Sequence, residues 1–280
     1  MNCFKKESTV AIGGLGGSGT RIFSKLIQLH DFHLGEDLNE AEDNLFFTLL
    51  FKRLSALLEN DYSFNKLANI FFAALQGDNR QAVANKEAIT ALAYFDRMGH
   101  SKEWLLQRAE KATVAKYYVK RSRWGWKEPN THILIERFLK LNQELKYIHV
   151  IRDPFYMAYS NNQNQLCNWG SLFFDTKIEI SPRNALTFWI KTYQRIHSMS
   201  TMWPGRILIV RYEDLYSRLA KLFQEIEDFL EIKHNKCIVS EIRSLIRLHS
   251  LTGRPSPIDV TIFRKEDIDY ISQNWGYTNS

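Results

Sequence analysis

Near its start the chain runs Val10-Ala11-Ile12-Gly13-Gly14-Leu15-Gly16-Gly17-Ser18-Gly19-Thr20-Arg21, an apolar run that passes into a glycine-rich segment. Thr9–Ile12 is a continuous apolar run, as expected for a strand covered on both faces. Glycines at 13, 14, 16, 17 and 19 follow, with hydroxyls at Ser18 and Thr20. The chain then enters a helix whose Ile22, Phe23, Leu26 and Ile27 share one face. Strand, glycine loop and helix in that order make a phosphate cradle, because glycines let backbone N–H groups turn toward an anion and the helix N-terminus adds a favourable dipole. The loop alone leaves the phosphate ligand open. Gly14-x-Gly16-x-x-Gly19 matches a dinucleotide fingerprint, with Asp31, Glu36 or Asp37 as the later acid. Gly14-x-x-x-x-Gly19 also opens a nucleotide-triphosphate loop, but Thr20 stands where that loop needs lysine.

Outward from the loop, Lys146–Ile151 and Arg206–Val210 read as further buried parallel strands, and Phe32–Leu34 as a shorter fourth. Residues 45–118 are almost wholly helical in period, broken at Gly77-Asp78-Asn79 and Met98-Gly99-His100. Ser181-Pro182 is a helix start, a capping hydroxyl followed by proline at the first helical position. Leu219, Leu222, Phe223, Ile226, Phe229 and Leu230 recur at spacings of three and four after the last strand. Gly253, Pro255 and Pro257 mark a loop over 252–260, before a final helix. The expected fold is α/β: a doubly wound, mainly parallel sheet flanked by helices, in a single domain over 1–280 with a helical insertion at about 40–120.

Composition narrows the function classes. The 280 residues are 45% apolar, with 18 Phe, 12 Tyr and 7 Trp, which excludes a disordered chain. The net charge of +6 suits an anionic ligand but falls short of a nucleic-acid coat. Cys3, Cys167 and Cys237 lie far apart and form no Cys-x-x-Cys pair, so neither a disulfide framework nor a cysteine zinc site is expected. None of the eight histidines has metal-type spacing, and His149 reads as a residue packed at a strand edge. No apolar stretch approaches the roughly 20 residues that span a bilayer, and the first residues carry no apolar signal region. A cytoplasmic protein is the expectation.

Two further motifs extend the phosphate argument. Val150-Ile151-Arg152-Asp153-Pro154 closes a strand and continues into a helix expected to carry Ser160, eight residues and two helical turns beyond Arg152. Ligands of open α/β sheets bind outside the carboxyl ends of strands, so Arg152 is placed to meet the same nucleotide. Asp153 reads as the cap of a helix that starts at Pro154. Trp124-Gly125-Trp126-Lys127-Glu128-Pro129 holds a lysine between tryptophans and proline, an odd setting for a solvated side chain.

The glycine loop, the Trp-x-Trp-Lys-Glu-Pro segment, the Val-Ile-Arg-Asp-Pro strand end with its serine, and Val210-Arg211-Tyr212-Glu213-Asp214-Leu215 occur in this order. That ordered set resembles the sulfotransferases that use 3′-phosphoadenosine 5′-phosphosulfate (PAPS), with Trp275-Gly276-Tyr277 as a further similarity. The resemblance implies a P-loop NTPase-like sheet and a sulfuryl transfer from PAPS to a hydroxyl of a carbohydrate or other small molecule. Adenosine 3′,5′-bisphosphate is the implied product, and no metal is required. It implies that Gly14, Gly16, Gly17, Ser18, Gly19, Thr20 and Arg21 hold the 5′-phosphosulfate. Arg152 and Ser160 would then bind the 3′-phosphate, and the Tyr212–Leu215 stretch is architectural. Many relatives carry lysine or arginine immediately before Ser-Gly-Thr, whereas this chain has Gly17. Lys127 is the first choice for the missing cation and Arg21 the second.

For the base that takes the acceptor's proton, the Leu34-Gly35-Glu36-Asp37 turn resembles a Gly-Glu-Glu of the tyrosylprotein members. Glu36 and Asp37 are therefore the candidates, with Glu40 and Asp43 close behind. Phe46, Phe47, Phe71, Phe72 and Trp104 are either the roof of an acceptor pocket or core. Lys116, Lys120, Arg121 and Arg123 form a basic cluster that reads as a solvated helix end. Competing readings are a P-loop kinase or NTPase, a dinucleotide-dependent oxidoreductase, and a catalytically inactive nucleotide-binding module. No nucleic-acid-binding module is recognisable.

Overall fold

The computed structural model describes residues 7–95, 97, 99–174, 178–249 and 258–278. Cys3, Met98 and residues 252–257 of the expected loop lie outside the described residues. The strands are β1 (Ser8–Gly14), β2 (Arg123–Lys127), β3 (Leu145–Ile151) and β4 (Ile207–Arg211). They form a four-stranded parallel sheet in the order β2-β1-β3-β4, flanked by helices, an α/β architecture. The helices before β2 are α1 (Thr20–Gln28), α2 (Leu45–Phe51), α3 (Asp61–Leu75), α4 (Arg80–Ala84), α5 (Lys86–Ala91) and α6 (Lys102–Thr113). After β2 come α7 (Thr131–Leu141), α8 (Pro154–Ala158), α9 (Asn164–Trp169), α10 (Pro182–Met202), α11 (Asp214–Ser217), α12 (Leu219–Leu230), α13 (Lys236–His249) and α14 (Lys265–Trp275).

Three of the four expected strands are present. Phe32–Leu34 is not one of them: His33 makes an isolated bridge to Trp124, and Gly35 turns the chain away at φ +117°. The fourth strand is Arg123–Lys127, within the tryptophan motif. It runs parallel to β1 in the register Ser8↔Arg123 to Ile12↔Lys127. Its sequence hides it, because it alternates tryptophan with glycine and is bounded by cations instead of forming an apolar run. Gly125 is required there: a Cβ would stand 2.0 Å from the Val10 carbonyl oxygen.

The chain divides into two compact units, residues 1–13 with 23–147 and residues 14–22 with 148–280. In the first, Phe47, Phe51, Phe71, Trp126 and Phe138 are almost wholly buried and meet ring to ring at centroid distances of 5.1–6.4 Å. Phe46 and Phe72 are buried against the same cluster, so these phenylalanines are core. Helix α6 stops at Thr113, short of the expected helical stretch to 118, so the basic 116–121 segment belongs to no helix or strand and is not the expected helix end.

In the second unit, Ser181 caps α10 by accepting from the Asn184 backbone N–H, with Pro182 at the first position. One face of α10 buries Trp189 and Tyr193, whose rings meet Trp275 of α14 at 6.0 and 5.9 Å. Leu219, Leu222, Phe223, Ile226 and Leu230 form the buried face of α12.

Candidate functional site

Backbone geometry builds the glycine turn. The Ser18 N–H donates to the Leu15 carbonyl at 3.0 Å, and the Ile22 N–H to the Gly19 carbonyl at 3.1 Å as α1 begins. Gly14 admits no side chain, since a Cβ would lie 2.5 Å from the Val150 carbonyl oxygen and 2.7 Å from Ser18 Oγ. Gly19 has φ +91°, and a Cβ there would lie 2.1 Å from Cδ2 of the Tyr212 ring. The Gln165 side-chain amide donates to the Gly14 carbonyl at 3.1 Å. Ser18 is fully buried, yet its Oγ has no hydrogen-bond partner among the described residues. A buried orphan hydroxyl costs roughly 1–3 kcal/mol, and an anion in the turn would satisfy it. The cradle therefore fits a bound phosphate on its own chemistry.

Arg152 and Ser160 come to that same turn. Arg152 Nη1 donates to the Gly17 carbonyl at 3.0 Å. Ser160 Oγ lies 3.8 Å from the point a Gly17 Cβ would occupy, and it accepts from the Asn162 N–H at 3.1 Å. Asp153 caps α8 through the N–H groups of Phe155 and Tyr156, with Pro154 at the first position. The helix is shorter than the sequence implied: it ends at Ala158, so Ser160 sits just beyond it rather than on it. The Arg152 guanidinium carbon lies 4.2 Å from the Tyr156 ring centroid and 4.4 Å from that of Tyr212. Neither ring was a sequence-level candidate.

The Tyr212-Glu213-Asp214 stretch is bonded to several elements of its own unit. The Tyr212 N–H donates to the Ile151 carbonyl at 2.8 Å. Glu213 accepts from the Asp153 N–H at 2.9 Å and from the Tyr277 hydroxyl at 2.8 Å. Burial, with the Glu213 charge beside it, pushes the Tyr277 phenol upward. Asp214 pairs with Arg218 at 2.6 Å. His149 is buried with its ring edge-on to Tyr193, at 5.0 Å.

In the other unit, Lys127 ends β2 with its side chain only 2% exposed. Its ammonium donates to the Ala41 carbonyl at 2.7 Å and to the Asp43 carboxylate. Its neighbour Glu128 is buried and accepts from the Asn130 backbone and side chain at 2.6 and 2.8 Å. Lys52 Nζ lies 3.8 Å from Glu128. Burial raises the Glu128 carboxyl, Lys52 opposes the rise, and the nearby Asp43 charge adds to it.

Glu36 is exposed and meets Arg121 at 3.1 Å and His33 at 3.3 Å. Asp37 is held by Arg108 at 3.2 Å and Lys111 at 2.7 Å. Glu40 is exposed, and Arg21 is exposed in the first turn of α1. Among the described residues, no group of three or more His, Cys, Asp or Glu is arranged to hold a metal ion. Nor is any described helix long and apolar enough to cross a membrane.

A sequence model of the sulfotransferase family matches residues 10–236. No curated protein matches the chain. Among solved structures, the sulfotransferase STF9 of Mycobacterium avium is 14% identical, with 96% of this chain and 76% of that chain covered and a TM-score of 0.45. The sulfotransferase domain of the Synechococcus PCC 7002 olefin synthase is also 14% identical, over 98% and 97%, with a TM-score of 0.45. Retinol dehydratase in complex with retinol and PAP is 14% identical, over 89% and 67%, at 0.40. With a family match that spans most of its length, the chain belongs to the sulfotransferase family.

Proposed function

We propose that this chain, acting as one domain over residues 1–280, transfers a sulfuryl group from PAPS to a hydroxyl of a carbohydrate or other small molecule. The observation that carries the reading is the meeting of Arg152 and Ser160 at Gly17 of the glycine turn. Two grips for anions then lie within reach of one doubly phosphorylated adenosine. Bound there, PAPS supplies an activated sulfuryl group and departs as adenosine 3′,5′-bisphosphate.

The chain's own residues do the rest by position and charge. The turn from Gly14 to Thr20 offers N–H groups and the Ser18 hydroxyl to the 5′ end. Arg152 and Ser160 hold the 3′-phosphate, with the guanidinium fork as the stronger contact. Lys127 is the cation that offsets charge on the departing phosphate, and Arg21 is the second candidate. The proton acceptor belongs to the Glu36–Asp43 segment. Asp37 is held between Arg108 and Lys111, which leaves its carboxylate less free to meet an acceptor hydroxyl, so Glu36 and the Lys127-bonded Asp43 are favoured. The family membership and Thr20 in place of lysine weigh against a kinase or NTPase. Three widely spaced cysteines suit a reducing compartment, and we place the protein in the cytoplasm.

Thermal stabilisation tests the reading. Adenosine 3′,5′-bisphosphate at a hundred times its dissociation constant adds about 2.7 kcal/mol, whereas ADP–magnesium and NAD add nothing comparable. Sulfuryl transfer from labelled PAPS to a panel of hydroxyl acceptors completes the test. Preferential stabilisation by ADP–magnesium would end the sulfotransferase reading. Nucleotide binding without transfer would leave an inactive module.

A further inference from the structure

Arg152 does not stand free at the glycine turn. Its guanidinium carbon lies within 4.2 and 4.4 Å of the ring centroids of Tyr156 and Tyr212, inside the roughly 6 Å reach of cation–π attraction. The two tyrosines come from separate elements. Tyr156 occupies the first turn of α8, where its N–H donates to the Asp153 cap at 3.1 Å. Tyr212 follows β4, its ring against Gly19 and its hydroxyl paired with that of Tyr216 at 3.0 Å. Burial pushes the Tyr212 phenol upward, so it stays neutral beside the cation. Arginine is long and rotamer-rich, and holding its planar fork in advance removes much of the ordering cost of anion binding.

We propose that Tyr156, with Tyr212, is a positioning residue that sets the guanidinium of Arg152 for a phosphate on the ribose, so that the aromatic pair determines selectivity for a bisphosphorylated over a monophosphorylated adenosine. This inference rests on the nucleotide-grip reading above. Tyr156 is the informative member, because Tyr212 also closes over Gly19 and its loss disturbs the turn itself. A ring without the hydroxyl keeps the stack, since the attraction comes from the π face.

The test is calorimetric titration of the full chain with adenosine 3′,5′-bisphosphate and, separately, adenosine 5′-monophosphate. Wild type prefers the bisphosphate, and Tyr156→Phe keeps that preference. Tyr156→Leu loses about tenfold of it, the scale of one desolvated cation–π contact, with monophosphate affinity unchanged. In an Arg152→Ala background, Tyr156→Leu has no further effect on the ratio. The ratio of two affinities is read within one preparation and does not move with the folded fraction. Should Tyr156→Leu fail to fold, Tyr156→Gln at this half-buried helix position asks the same question. An unchanged ratio, or equal loss of both nucleotides, overturns the positioning role. A wild type without any preference overturns the grip itself, and the positioning role with it.

Discussion

Replacing Gly19 with alanine separates two physical demands that meet at one residue. The backbone stands at φ +91°, and the added methyl would lie 2.1 and 2.4 Å from two carbons of the Tyr212 ring. Left-handed backbone costs an L-residue roughly 1–2 kcal/mol. Forcing a methyl into filled space adds about 1–3 kcal/mol. Gly205 supplies the control: φ is +72°, and nothing lies within 4 Å of its Cβ position. Gly205→Ala should therefore cost only the backbone share, roughly 1–2 kcal/mol, and Gly19→Ala about 2–5 kcal/mol. Urea unfolding followed by tryptophan fluorescence reads both. Adding Tyr212→Ala relieves the collision, so the extra cost of Gly19→Ala over Gly205→Ala should vanish in that background. Equal midpoints for the two single variants would refute the contact between ring and turn.

Three other outcomes follow from the site. Lys127→Met should cut sulfuryl transfer at least ~10²-fold, the scale of a lost charge-stabilising donor, with bisphosphate affinity retained in calorimetry. Unaltered turnover would pass the role to Arg21. Among the carboxylates, Asp43→Asn or Glu36→Gln should lower turnover ~10²–10⁴-fold if that group takes the proton, and Asp37→Asn should lower it far less. Equal, small effects from all three would remove the segment from the chemistry. Stability should also fall on acidification. Burial, with the Arg121 charge, brings His33 down from 6.5 to about 4, and burial, with Lys52 and Arg97, does the same for His100. The unfolded chain then binds protons first, so stability is lost as the pH drops from about 6.5 toward 4. His100→Gln should flatten that slope in thermal scans, and an unchanged slope would contradict the assignment.

Sequence carried the site's order better than its contacts. β1, β3 and β4 were legible because each is a continuous apolar run between helices. β2 was not, because Trp124 and Trp126 pack against Phe72, which lies on a helix some fifty positions earlier. Phe32–Leu34 has two buried apolar residues and still makes only a bridge, since Gly35 ends the extended run. The Asp153 cap was local and therefore readable. The partners of Lys127, Asp37 and Glu36 were not, because those ion pairs close loops of 84, 71 and 85 residues. The stack of Arg152 on Tyr156 and Tyr212 is of the same kind: an arginine four residues before a tyrosine carries no sign of a ring arriving from β4.

A crystal structure with adenosine 3′,5′-bisphosphate shows whether one nucleotide reaches both the glycine turn and Arg152. The 5′-phosphate is expected within hydrogen-bond distance of the Gly14–Thr20 N–H groups and Ser18 Oγ, and the 3′-phosphate of the same molecule on Arg152 and Ser160. A nucleotide whose 3′-phosphate points into solvent, with Arg152 still bonded to the Gly17 carbonyl, would contradict it.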